Sequence, residues 1–304
     1  MEDYVVRFIN NLPDHLMNVE TPIRLDLVLE GGLFNGSFHA GLLFFLKEME
    51  KRNIVKVERI SGVSIGAILG LLYFSNNLHL ITDLYQLIYI DFKQTHYLKT
   101  IKQLNEILGD KLPQNICDVV NRRLYICYYN GTTCTKVRKT KYKNTYVLMN
   151  TIIKSSFVPH FIDGNMLYKN KYVDGIIPYI FKHVKDKRIL YVDLFGHDKL
   201  FHFFNIKHEK TNDHRMLTGL LDAYHFFIKQ QSTSMCSYVD KWNITHKFSY
   251  FIKTIVEKAC VFIIILIVRV KQWLPLDAHK YAISKIIFKM LSDITALLLD
   301  TYCI

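Results

Sequence analysis

The stretch Val55-Lys56-Val57-Glu58-Arg59-Ile60-Ser61-Gly62-Val63-Ser64-Ile65-Gly66-Ala67-Ile68-Leu69-Gly70-Leu71-Leu72-Tyr73-Phe74 decides the fold. Val55 to Ser61 reads as a short strand, Gly62 to Gly66 as a tight turn, and the small and apolar residues Ala67 to Phe74 as a helix. The unit just upstream has the same order. Ile23 to Leu29 alternates and ends in glycines, as a buried strand does, and a turn follows from Gly31 to Gly36. Phe38, Leu42, Phe45, Leu46 and Met49 then recur at helical spacing up to Arg52. Strands that alternate with helices predict an α/β fold with a largely parallel sheet covered on both faces.

Outward from this core the pattern changes twice. Residues 77–140 read as mainly helical and then irregular, with basic clusters at Arg122-Arg123 and Lys136 to Lys143. Strand-like runs return at Thr145 to Ile153, near Leu167 to Val173, and at Arg188 to Phe195. From about residue 213 the chain turns helical, with one stripe through Met216, Leu220, Tyr224 and Phe227 and a cleaner one through Ile283, Ile287, Met290, Ile294 and Leu297. The expected organisation is an N-terminal extension over 1–22, an α/β domain over 23–200, and a mainly helical region over 201–304 that packs on the domain or contacts membrane.

The 304 residues are 50% hydrophobic and 13% aromatic, enough to build a sizeable core and to exclude a disordered or fibrous protein. Lys and Arg outnumber Asp and Glu by 39 to 27, which gives a formal charge of +12 and biases the surface toward polyanions. The six cysteines, Cys117, Cys127, Cys134, Cys236, Cys260 and Cys303, form neither a C-x-x-C pair nor a zinc-like cluster. Reduced thiols in the cytoplasm are the expected state. The N-terminal residues carry Glu2, Asp3 and Asp14 and lack the basic and apolar regions of a signal peptide.

Two turns carry candidate chemistry. Gly62-Val63-Ser64-Ile65-Gly66 is a G-x-S-x-G between a strand and a helix. A serine on so sharp a turn stands clear of the backbone, and the following helix points its amides and positive dipole end at charge developing there. The plain alternative is an ordinary strand-to-helix turn. Glu30-Gly31-Gly32-Leu33-Phe34-Asn35-Gly36 is a glycine-rich turn opening a helix. It lacks the Gly-Lys-Ser/Thr of a P-loop and the G-x-G-x-x-G of a dinucleotide site. Its exposed amides suit an anion or an oxyanion, and neighbouring parallel strands would bring both turns to one sheet edge.

The order of a strand, the glycine turn, Gly36-Ser37-Phe38-His39-Ala40-Gly41, the G-x-S-x-G and a downstream Val173-Asp174-Gly175 resembles the patatin-like phospholipases. Ser155-Ser156-Phe157-Val158-Pro159 and Leu190-Tyr191-Val192-Asp193-Leu194 are similar to further segments of that family, so the resemblance covers about residues 23 to 200. It implies a three-layer fold and a serine lipid acyl hydrolase that cleaves fatty acyl esters of phospholipids with a Ser-Asp dyad. Ser64 would be the nucleophile, Asp174 its partner, and the amides of Gly31, Gly32 and Ile65 the oxyanion hole. Asn35, Gly36, Gly62, Gly66 and Gly175 would support these turns. No metal or organic cofactor is implied. Leu33 stands where the family has a third glycine, Asn35 where it has Lys or Arg, and Ile176 follows the Asp-Gly pair. A catalytically silent scaffold that binds membrane or protein is the competing class.

An aspartate with an ordinary pKa of about 3.9 is a poor base for a serine hydroxyl, so Asp174 must be held close and partly desolvated. Tyr172, Val173, Ile176 and Ile177 supply apolar neighbours in sequence. A Ser-Asp-His esterase triad through Ser64, Asp174 or Asp193, and His197 is the rival arrangement. Its nucleophile turn ordinarily follows more strands than the two found here.

The expected partner is a phospholipid surface, anionic in view of the charge, with no nucleic-acid module around the basic-aromatic stretch Lys136 to Tyr146. Ala259 to Val268 is an unbroken apolar run of about 15 Å as a helix, half of a bilayer core. Two readings stand: a buried strand or core helix, or an interfacial anchor bordered by Lys253, Lys258, Arg269, Lys271 and Trp273. No complete transmembrane helix is visible, so the expected location is cytoplasmic or peripheral at membranes.

Overall fold

The computed structural model describes residues 1–17, 20–196, 205–207 and 209–273, with isolated positions 289, 290, 293, 297, 300 and 301 beyond them. Helices α1 (Glu2–Asn10) and α2 (Asp14–Met17) precede strand β1 (Ile23–Leu29). Then follow α3 (Gly36–Lys51), β2 (Val55–Gly62), α4 (Ile65–Phe74), α5 (Leu80–Thr95), α6 (Leu104–Leu108) and α7 (Ile116–Val120). β3 (Leu124–Asn130), β4 (Thr135–Lys139), α8 (Thr145–Ser155), β5 (Tyr172–Asp174) and β6 (Arg188–Val192) come next. α9 (Asp213–Lys229), β7 (Cys236–Tyr238) and α10 (Ile244–Trp273) close the described chain.

The strands form one sheet in the order β4-β3-β2-β1-β6-β7, with β5 paired to β3. The centre, β3-β2-β1-β6, is parallel, and the flanking β4, β5 and β7 run antiparallel. Side chains alternate across a strand, so β1 feeds two cores. Leu25, Leu27 and Leu29 enter the large core built with α3, α4, α5, α8 and α9. Val28 points the other way, into a cluster with Phe181, Ile189 and Tyr191 that Trp242 and Tyr250 cover. The result is a central, mostly parallel sheet with helices on both faces, as the resemblance implied.

Four local expectations need correction. Leu124–Asn130 and Thr135–Lys139, read as irregular, are strands. β4 hides its strand character behind Lys136, Arg138 and Lys139, the charges that keep an outer strand from pairing further. Thr145 to Ile153, read as a strand, lies within helix α8 (Thr145–Ser155). Its β-branched residues mislead; Asn144 caps it by accepting from the Val147 amide at 2.9 Å, and the apolar residues bury one helical face. The run near Leu167 narrows to a Tyr168–Tyr172 bridge and the three residues of β5. The last, Arg188 to Phe195, ends as a strand at Val192.

β5 is short, but its register matters. Tyr128 pairs with Val137 of β4 and with Asp174 of β5, so these two strands lie on opposite edges of β3. Ile126 likewise faces Lys139 on one edge and Gly62 of β2 on the other. β5 therefore continues the line of β2, and Asp174 sits just beyond the turn that follows Gly62.

Because α8 delivers Ser155 to that same turn, its cap bears on the site. Asn144→Ala should cost about 1 kcal/mol, read as a lower denaturation midpoint at unchanged slope.

Candidate active site

β1 and β2 run side by side with Leu29 opposite Gly62, so their ends are level and their two turns meet. The contact is backbone on backbone. A Cβ at Gly66 would lie 2.5 Å from the Leu29 carbonyl oxygen, and one at Gly31 would lie 3.3 Å from Ser64 Cβ. Only a residue without a side chain allows the first approach. Gly36 packs in the same way on the Ile65 side chain, and Gly62 on the Gly66 backbone.

Ser64 occupies the apex with φ 51° and ψ −127°, a region that costs a non-glycine residue of the order of 1–3 kcal/mol. The surroundings enforce it. The Ser64 amide donates to the Ser155 carbonyl at 3.0 Å and to Ser155 Oγ at 3.1 Å, and Ser155 Oγ donates to the Cys127 carbonyl at 2.6 Å. Ser155 is completely buried, so this clamp ties the turn to β3 without competition from water. Ile65 opens α4, and its amide stands at the positive end of that helix. Among the described residues the amides of Gly31, Gly32 and Ile65 donate no hydrogen bond.

The departures at Leu33 and Asn35 are absorbed rather than refused. Leu33 takes φ 44°, the left-handed conformation a glycine would adopt freely. Asn35 is fully buried, accepts from Arg215 Nη1 at 2.8 Å and donates to the Leu194 carbonyl at 3.4 Å. Arg215, itself fully buried on α9, pairs through Nε with both Glu209 oxygens at 3.0 and 2.9 Å. A guanidinium from α9 thus anchors the turn. Sequence reading did not single out Arg215; a charge on the same helical face as Met216, Leu220 and Phe227 was the available signal.

Gly31, Gly32, Ser64 and Asp174 line one cavity of about 210 Å³, walled by Leu33, Val173, Ile176, Phe195 and Ile264. Among the described residues Ser64 Oγ makes no direct hydrogen bond to Asp174; the two meet across this space. Gly175 lets the Asp174 loop lie on β3, since a Cβ there would fall 2.5 Å from the Cys127 carbonyl oxygen. Burial pushes the Asp174 carboxyl up to about 7, against the opposing pull of the Gly175 and Ile176 amides. Ser64 also stands at the mouth of a second, narrow crevice lined by Ile68, Ile81, Leu84, Ile88, Leu98 and Ile101.

Two buried carboxylates flank the site, and both answer to α10. Glu30, fully buried before the Gly31 turn, accepts from the Tyr191 hydroxyl, the Leu194 amide at 2.8 Å and Lys253 Nζ at 2.9 Å. Burial and the neighbouring Asp193 push its carboxyl up, and Lys253 pulls it back. Glu257, also buried, accepts from Lys136 Nζ at 2.7 Å and the Ile177 amide at 3.0 Å. Asp193 is thereby placed in the Lys253 pair, at 2.7 Å, and not at Ser64. His197 lies outside the described residues, as do Lys271 and Trp273 side chains and most of the stripe from Ile283 to Leu298. Among the described residues no group of His, Cys, Asp and Glu gathers to hold a metal ion.

The site stands at the end of a mostly parallel α/β sheet where two glycine turns abut. Residues 27–177 match the model of the Patatin-like phospholipase family. Those residues carry a patatin-like phospholipase domain, which supports a lipid acyl hydrolase at the level of that family. No curated protein matches the chain.

Removing the clamp tests how far the turn depends on it. Ser155→Ala leaves the Cys127 carbonyl without its hydroxyl donor and should destabilise the fold by about 1–3 kcal/mol, measured by chemical denaturation.

Proposed function

We propose that the protein is a phospholipase A-type enzyme that cleaves fatty acyl esters through an acyl-Ser64 intermediate. One observation carries this reading: Ser64 and a carboxyl pushed up to about 7 face each other across an apolar cavity that the Gly31 turn also lines. Ser64 Oγ attacks the ester carbonyl while Asp174 takes its proton. The amides of Gly31, Gly32 and Ile65 hold the oxygen that gains charge. As the tetrahedral species collapses, the proton passes to the departing glycerol oxygen and the lysophospholipid leaves. Asp174 then takes a proton from the water that attacks the acyl ester and passes it to Ser64 Oγ as the acyl–oxygen bond breaks and fatty acid leaves. The crevice behind Ser64 has the chemistry of an acyl-chain site, with Ile81, Leu84 and Ile88 of α5 as one wall.

The dyad makes three demands. Incubation with mixed phospholipids and a fluorophosphonate should release fatty acid and label wild type, while Ser64→Ala does neither; an unreactive wild type overturns the hydrolase in favour of a silent scaffold. Asp174→Asn should lose about 10²–10⁴-fold in kcat/KM, and His197→Ala should lose little. A large loss at His197 would restore the triad.

The pH profile follows from the raised carboxyl. A base works only when deprotonated, so kcat/KM should rise with pH along an acid limb centred at about 7. The stability effect has the opposite sense: a carboxyl whose folded pKa exceeds its unfolded value favours the fold at low pH and loses that advantage as pH rises through about 7. Asp174→Asn should therefore raise Tm at pH 8 more than at pH 5.

A further inference from the structure

α10 spans 30 residues, about 45 Å, and its two faces differ in kind. The inward face is latched one turn apart by two ion pairs, each with one buried carboxylate. Lys253 reaches Glu30 and Asp193 beside the Gly31 turn, and Glu257 reaches Lys136 and the Ile177 amide beside Asp174. Val261 and Ile265 continue this face onto Tyr129, Leu167 and Val173, and Ile264 enters the wall of the Ser64 cavity.

The outward face carries large apolar side chains in water. Phe248 is 63% exposed, Phe251 57%, Ile255 47%, Phe262 65% and Ile263 53%. So much contiguous apolar surface marks an interaction site. The charges on the helix indicate what it meets. Its sole acid, Glu257, is buried, whereas Lys247, Lys258 and Arg269 are exposed. The hairpin that packs on Val261 through Leu167 adds exposed Lys169 and Lys171. A face that is apolar with exclusively basic charge complements an anionic lipid surface. It does not complement itself, because a second copy would set bases against bases. Nor does the helix span: among the described residues no helix is long and apolar enough to cross a membrane.

We propose that α10 seats the protein on an anionic phospholipid surface, its outward face entering the interface while Lys253 and Glu257 hold its inward face against the Ser64 cavity. The choice of lipid as occupant rests on the hydrolase reading above. Docking would then hold the Ser64 cavity close to the membrane, behind the helix whose Ile264 forms part of the cavity wall.

The test is co-sedimentation of the full chain with vesicles of phosphatidylcholine alone or mixed with phosphatidylserine. Wild type and Ser64→Ala should both sediment with the mixed vesicles. The combined variant Phe251→Glu, Ile255→Glu, Phe262→Glu and Ile263→Glu should lose at least about tenfold in partitioning at an unchanged Tm. Lys247→Gln, Lys258→Gln and Arg269→Gln should each lose about fivefold on mixed vesicles and nothing on neutral ones. Wild type that stays in the supernatant, or a combined variant that sediments as wild type does, overturns the proposal. A lowered Tm in that variant also overturns it, because the face would then be covered by the chain itself, and so does a shift from dimer to monomer on gel filtration. Vesicle binding without fatty-acid release leaves docking intact and overturns the hydrolase reading instead.

Discussion

The approach of two backbone turns at the ends of β1 and β2 is the constraint on which the rest depends. With Leu29 level with Gly62, the chain after each strand must turn within contact distance of the other, and Gly66 meets the Leu29 carbonyl where no Cβ fits. Interlocked main chain has few ways to relax. Ser64 is consequently held at φ 51°, and the cost of that conformation is borne by the surrounding structure. The Ser155 clamp follows from the same geometry. It fastens the apex to β3, the strand that also carries β5 and Asp174. Nucleophile turn and aspartate loop thus share one support, so a displacement of β3 would move both together.

The parts legible in the sequence were those with local causes. β1, β2, α3 and the turns between them announced themselves through alternation, glycine and helical spacing, and the parallel pairing of β1 and β2 then brings Gly31, Gly32, Ser64 and Ile65 together. β4 and α8 were misread because the deciding features are not local periodicities. One is the exposure of Lys136 and Arg138 on an outer strand, the other a single cap at Asn144. Asp174 could be named only through the family pattern. Its position comes from β5, a three-residue strand whose placement is set by pairing with β3 across more than forty residues of chain. The anchors from α9 and α10 were hardest to see. Arg215, Lys253 and Glu257 look like surface charges one at a time, and only their places on buried helical faces give them away.

These anchors solve a problem that the fold creates. Covering the sheet on both faces puts Glu30 and Glu257 out of reach of water, and an isolated buried carboxylate costs several kcal/mol. Each is met by a lysine and by backbone amides, so neither charge stands alone. A pair that stabilises little in net terms still fixes position strongly, because separating the partners would leave a bare charge in a medium of low dielectric. α10 is consequently located at two points, one beside each turn of the proposed site.

The same pairs shape the field in which the proposed chemistry runs. Attack by Ser64 puts negative charge near the amides of Gly31 and Gly32, one residue from Glu30. A bare carboxylate there would oppose the oxyanion, and at the short range and low dielectric of a buried site the penalty could cancel what the two amides contribute. Lys253 and the Tyr191 hydroxyl draw that charge away from the turn. On the other side, Glu257 reinforces the burial that keeps the Asp174 carboxyl high, and Lys136 tempers it. In the proposed reaction a base pushed up to about 7 takes the serine proton more readily than an ordinary aspartate. Burial alone would push it further and leave too little base, and full neutralisation of Glu257 would pull it back toward weakness. The base and the acid of α10, four residues apart on one face, thus act on opposite sides of the proposed site, Lys253 beside the Gly31 turn and Glu257 beside Asp174.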